Sequence, residues 1–129
     1  MIRILALFSL MFATACIGDE TVAKYGAAGK VWTLVGIDGE AFTARATMEF
    51  GQDGAVSGQA PCNRFFTKQT QPYPWFKTSA IGSTKMACAD LKSEAAFFEA
   101  LGDMSLSEVS KTTLLLANDA GRTMTFKAE

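Results

Sequence analysis

No histidine occurs anywhere in this chain, and that single absence narrows its chemistry. A cysteine or serine nucleophile would lack its usual imidazole base, and a transition-metal site would lack its commonest side-chain ligand. Cysteine itself is scarce, at three residues, and a zinc site would want more ligands than that. Neither sign of charge dominates: 12 basic and 13 acidic side chains give a formal net charge of -1. The basic footprint of a nucleic-acid-binding domain is therefore missing, and no nucleic-acid partner is expected. The uncharged apolar run from Ile4 to Ala15 falls short of the roughly 20 residues that a bilayer-spanning helix needs. At 129 residues, 49% of them hydrophobic, the chain can build one domain with a real core but not two.

That apolar run follows Met1-Ile2-Arg3 and ends in small residues before Cys16, which is the basic start, apolar middle and small-residue end of an export signal. Ala13-Thr14-Ala15-Cys16 resembles a bacterial lipobox, in which the cysteine is acylated and becomes the new amino terminus. Ala-Thr-Ala also suits ordinary signal peptidase cleavage, and an uncleaved anchor is a third arrangement. The lipobox reading divides the chain into a signal peptide (1–15), a lipidated amino terminus and flexible tether (16–29) and a domain (30–128). Ile17 after the cysteine, rather than aspartate, fits outer-membrane sorting. The expected location is thus the bacterial cell envelope, facing the periplasm, with the membrane engaged through the lipid.

Within the domain, Lys30 to Ile37 is a run of strand formers closed by the turn Asp38-Gly39. Thr47–Phe50 and Ala55–Ala60 flank the turn residues Gln52-Asp53-Gly54 and form a hairpin. A helix here would have to absorb Gly51, Gly54 and Gly58 at about 1 kcal/mol each. Arg64 to Thr67 and Trp75 to Ile81 read as further strands, separated by Pro72-Tyr73-Pro74. One helix is expected from about Asp90 to Leu101, capped by the Asp90 side chain and ended by a left-handed Gly102. Leu91, Ala95, Phe98 and Leu101, with Phe97 beside them, form its core stripe, while Lys92 and Glu99 face away. Leu106–Val109, Thr112–Ala117 and Arg122–Lys127 complete the strands, the last two joined by the turn Asn118–Gly121.

The corner Gly58-Gln59-Ala60-Pro61-Cys62-Asn63 and the return Ser83-Thr84-Lys85-Met86-Ala87-Cys88 organise the rest. With Cys16 lipidated, Cys62 and Cys88 remain as an even pair, and an oxidising compartment makes their disulfide the natural state. The bridge would close a loop of about 26 residues, worth roughly 3.5 kcal/mol in the chain-entropy account.

Trp32-x-Leu34, Gly58-x-Ala60-Pro61-Cys62-Asn63, Thr84-x-Met86-Ala87-Cys88, a Glu94-x-x-Phe97-x-x-x-Leu101 helix and a closing Leu-x-Leu hairpin together resemble the META domain of HslJ-type bacterial heat-shock lipoproteins. The resemblance covers about Gly29 to Ala128. It implies an α+β fold: a single strand-rich antiparallel β domain, as a sheet or partly closed barrel, with one main α-helix. It also implies links to stress response, and it supplies no catalytic residues.

The remaining candidates divide between chemistry and architecture. Asp90 and Glu94, four apart on a helix, have the spacing of a carboxylate pair, though a cap and a solvated face explain them more simply. Asn63 and Thr84 beside the cysteines suit backbone hydrogen bonds or a ligand. Tyr73, Trp75 and Phe76, with Asn63, form the candidate binding surface, because a loop rich in Tyr and Trp can meet protein, peptide or glycan. No cofactor, metal or enzymatic activity is expected. The leading reading is a monomeric envelope lipoprotein with a non-enzymatic role in stress response or envelope maintenance through an envelope protein partner. The alternative is a periplasmic hydrolase inhibitor or small-ligand-binding lipoprotein. Intact mass of the mature protein is expected to carry acyl chains at Cys16; a mature chain without lipid mass would leave simple secretion.

Overall fold

Alternation of apolar and polar residues directs most of the chain's path. In the computed structural model, which describes residues 18–129, nine strands form one antiparallel sheet. They are β1 (Trp32–Ile37), β2 (Glu40–Ala41), β3 (Thr47–Phe50), β4 (Ala55–Gln59), β5 (Arg64–Lys68), β6 (Gly82–Ser83), β7 (Leu106–Ser110), β8 (Thr113–Ala117) and β9 (Thr123–Ala128). One helix, α1 (Leu91–Asp103), lies between β6 and β7 in the sequence. The spatial order is β6-β5-β4-β3-β1-β9-β8-β7, with β2 folded back on β1. The Asp38-Gly39 turn makes that fold-back with both residues left-handed, at φ 53° and 80°, which suits the twist of a two-residue hairpin.

Two meanders, β3-β4-β5 and β7-β8-β9, are thus joined by the first strand, which pairs with β3 on one side and with the last strand on the other. The sheet does not close. Its ends are bridged by an irregular segment: the Phe76 amide donates to Ser105 O at 3.0 Å, Ser107 N to Pro74 O at 2.7 Å, and Ser79 N to Lys68 O at 2.8 Å. The strand expected over Trp75–Ile81 is accordingly two isolated bridges, Trp75 with Leu106 and Gln69 with Thr78, and the two-residue β6. Pro72 and Pro74 remove amides from a ladder, so regular pairing cannot begin there.

One face of the sheet and one side of α1 enclose the core. Trp32, Met48, Phe65, Leu114, Leu116, Met124 and Phe126 come from the strands, and Phe97, Ala100, Leu101 and Met104 come from the helix and its end. The Phe65 ring meets Phe97 edge-on at 5.3 Å, a pair worth about 1 kcal/mol beyond its buried area. The helix keeps Phe97 and Leu101 of the expected stripe, with Phe98 against its edge, but not Leu91 and Ala95. Glu94, Phe97 and Leu101 face inward, whereas Leu91 and Ala95 are exposed and Phe98 is half-buried; Lys92 and Glu99 do face away. Its ends also differ. Asp90 makes no side-chain cap bond, and its carbonyl accepts from Glu94 N at 2.9 Å; the helix runs past Gly102 to Asp103, with Met104 extended after it.

The expected tether over 16–29 is packed from Thr21 onward. Val22 and Ala27 are fully buried, and the Trp32 Nε1 donates to Ala27 O at 2.9 Å. Apolar residues at 22, 23 and 27 with Gly26 at φ 124° make a compact turn that covers the start of β1. The signal peptide and Cys16 lie outside the described residues.

Gly58 marks the tightest backbone approach in the sheet. A Cβ placed there would stand 1.9 Å from Thr47 O and 3.0 Å from Met48 Cα, both of them backbone atoms that cannot yield without moving β3. Gly58→Ala is expected to destabilise the domain by about 3 kcal/mol through overpacking, read as a lower urea midpoint at unchanged slope.

Candidate functional site

Between β4 and β5 the chain turns a corner whose amides have no strand to pair with, and α1 supplies the acceptor. One Glu94 oxygen, Oε1, accepts from the Cys62 amide at 3.0 Å and the Asn63 amide at 2.7 Å; Oε2 accepts from Asn63 Nδ2 at 2.8 Å. Asn63 is itself buried and fully used. Its Oδ1 accepts from Met86 N at 2.7 Å and Thr84 Oγ1 at 2.8 Å, and its Nδ2 also donates to Met86 O at 3.0 Å. That fills both donors and both lone pairs of the amide. The Cys62–Cys88 disulfide, with Cα atoms 5.7 Å apart, crosses the same corner. Corner, return and helix are therefore fixed to one point.

This arrangement corrects two expectations. Glu94 is not on a solvated face and does not pair with Asp90; it is 5% exposed and committed to the corner. Asn63 is not a contact surface, because its whole hydrogen-bonding capacity is spent internally. Beside the knot a groove of about 390 Å³ opens between the Ser83–Ala87 return and the helix, walled by Met86, Leu91, Ala95 and Phe98. Met86 and Leu91 are exposed along it.

The aromatic loop separates its members. Phe76 is 2% exposed and belongs to the core, so it is removed from the candidate surface. Tyr73 is half-buried: its ring stacks on Tyr25 at 4.6 Å, its hydroxyl oxygen accepts from Val109 N at 3.3 Å, and its amide donates to Glu20 O at 2.7 Å. Trp75 alone stands out, 56% exposed. The backbone under it is held by Ser105 and Ser107 on one side and by Gln69 on the other. Gln69 Oε1 accepts from Gln71 N at 2.7 Å and Lys77 N at 3.2 Å, and the side chain is buried. Nothing in the local pattern marked Gln69, since its partners are backbone amides of an irregular loop.

At the opposite end of the helix, Arg122 reaches Asp103 at 2.8 Å, Asp38 at 3.1 Å and Glu99 at 3.5 Å. The Arg122 side chain, with the Thr123 amide, holds the Asp38 carboxyl below the usual carboxylate range, and Asp38 then Asp103 push the guanidinium upward. All three carboxylates are substantially exposed, so water screens the cluster and its stabilisation is small.

The META domain model matches residues 26–129. The chain belongs to the META domain family. Solved structures share the fold of this META domain: an NMR structure of a protein from Burkholderia xenovorans has a TM-score of 0.68 at 23% identity, covering 84% of this chain and 87% of that one. A crystal structure of a DUF4847 family protein from Bacteroides vulgatus has a TM-score of 0.63 at 15% identity, covering 82% and 96%. At such identities the likeness is one of fold. No curated protein matches the chain. Cys62, Asn63, Thr84, Met86, Cys88 and Glu94 meet in the knot, and Gly58 lets β3 and β4 approach beside it.

Glu94→Gln keeps the shape but sets an NH2 group against donors. It is expected to cost about 2 to 3 kcal/mol, the range for bonds to a charged acceptor and the donor left unpaired, measured by chemical denaturation. An unchanged midpoint would remove the knot from the account of stability.

Proposed function

We propose that this META domain protein is an HslJ-type envelope lipoprotein, anchored through Cys16, that acts without catalysis by binding a protein partner during stress response or envelope maintenance. It works as a monomer and without a cofactor. The observation that supports the reading is the single exposed indole of Trp75 on a backbone fixed from both sides. A rigid aromatic anchor costs little conformational entropy on association and is a common centre of binding energy. The knot residues favour the same view, because their polar atoms are spent on one another and leave none poised for a substrate. A hydrolase inhibitor is the special case in which the partner is an enzyme and the Trp75 loop enters its cleft.

The test places a photoreactive residue at the exposed position Gln71 and crosslinks the tethered protein in its native envelope. One recurring protein adduct is expected, and it is expected to vanish in Trp75→Ala. An adduct pattern unchanged by Trp75→Ala, or lipid products alone, would defeat the partner reading.

A further inference from the structure

Charge is balanced over the chain but not along it. Between Gly54 and Ala89 stand four basic residues, Arg64, Lys68, Lys77 and Lys85, and none of the thirteen acidic ones. The fold turns this stretch into a surface. Along β5 burial alternates, so that Phe65 and Thr67 point into the core while Arg64, Phe66 and Lys68 point outward together. Alternate strand residues lie about 7 Å apart, which spreads the two cations about 14 Å along the strand with the phenyl ring between them.

The outward neighbours are uncharged. Register sets Gln59, Ser57 and Ala55 of β4 opposite Arg64, Phe66 and Lys68. On the other side Gly82 lies opposite Phe66, and a Cβ there would meet the Phe66 ring at 2.4 Å. The ring therefore lies over a glycine and stays 60% exposed. Lys68 and Lys77 border one shallow hollow with Thr70, Gln71 and Ser79. The bordering carboxylates are Glu49, opposite Ser57 and so about 10 Å from Phe66 across two strands, and Asp53 in the β3–β4 turn. Among the described residues every ion pair belongs to Arg122, so none of the four cations is neutralised.

We propose that the outer face of β5, with Arg64, Lys68 and Lys77 around Phe66, docks on an anionic phospholipid surface. Three features favour a membrane over a single small anion. Arg64 and Lys68 stand about 14 Å apart along β5 and only Lys68 and Lys77 share a hollow, so the three cations do not gather on one point, which matches an array of headgroup phosphates. The ring between them is the amphipathic element that settles at an interface, while Lys and Arg reach the phosphates with their stems on the apolar boundary. All thirteen acidic residues lie outside the stretch, together with eight of the twelve basic ones, so a negative surface attracts this face more than the remainder and biases the orientation. Each basic residue near such a surface strengthens association about fivefold, and salt weakens it. This inference stands apart from the Trp75 reading, and either can fail alone.

The test uses the full chain on vesicles, with lysine acetylation followed by mass spectrometry, so that any tether holds the protein at both kinds of vesicle. On phosphatidylglycerol-rich vesicles Lys68 and Lys77 are expected to react severalfold more slowly than on pure phosphatidylcholine, while Lys24 and Lys111 react alike on both. High salt is expected to erase the difference. In Arg64→Glu/Lys68→Glu, with folding checked by circular dichroism, protection of Lys77 is expected to disappear. Equal labelling on the two vesicles, or protection that survives the double variant, would overturn the proposal. So would equal protection by free inorganic phosphate, which would assign the face to a soluble anion.

Discussion

A buried carboxyl group needs donors, and in this domain Cys62 and Asn63 supply them from amides that have no strand to pair with. The corner after β4 points the Cys62 and Asn63 amides inward, away from any strand, and Glu94 answers both. Leaving either side unmatched would strand polar groups in an apolar interior. The consequence is geometric as well as energetic. With Glu94 pinned, the axial rotation of α1 is set, and Phe97 and Leu101 on the same stripe are delivered to Phe65 and the strands. Asn63 extends the arrangement outward by holding Thr84 and Met86, and the disulfide ties the far end of that return to the corner.

The sheet depends on this knot in one direction and on its own first strand in the other. Because β1 pairs with both β3 and β9, neither meander has a complete neighbour without the beginning of the domain. The turn at Ala23–Ala27 then covers Trp32, whose indole nitrogen would otherwise be a buried donor without a partner. An element that a composition-based reading assigns to a tether is thereby part of the core's closure.

Most strands were legible because their residues alternate: the pattern Thr123-Met124-Thr125-Phe126 puts Met124 and Phe126 inside, as found. The cysteine pairing was legible from parity. The expected stripe of Leu91, Ala95, Phe98 and Leu101, with Phe97 beside them, counts apolar residues alone and leaves Glu94 to solvent, whereas Glu94 turns inward with Phe97 and Leu101. The spacing of Glu94, Phe97 and Leu101 at i, i+3 and i+7 is a single helical face, and it was already present in the family pattern. Polarity misled where periodicity was sound. The segment after Pro72 departs from its expected strand for a different reason: Trp75, Phe76 and Ile81 have strand composition, but the segment's hydrogen bonds go to Ser105, Ser107 and β5 in separate short contacts that no local pattern encodes. Gln69 and the half-burial of Tyr73 follow from that tertiary bridging.

The polar atoms of the corner, Asn63 and Glu94 are spent on one another, while exposed side chains with no internal partner stand elsewhere. Both surfaces with unspent chemistry, the Trp75 loop and the outer face of β5, lie inside the span that Cys62 and Cys88 close. That span has little regular structure of its own beyond β5 and two residues of β6. Its order comes from both ends being held at one point and from side chains such as Phe76 and Gln69 fastening its middle. A loop restrained in this way loses little freedom on binding, so a lone indole or a row of cations can be presented without the entropy cost of a mobile segment. The knot makes rigid the part of the chain whose exposed residues are free to meet something else.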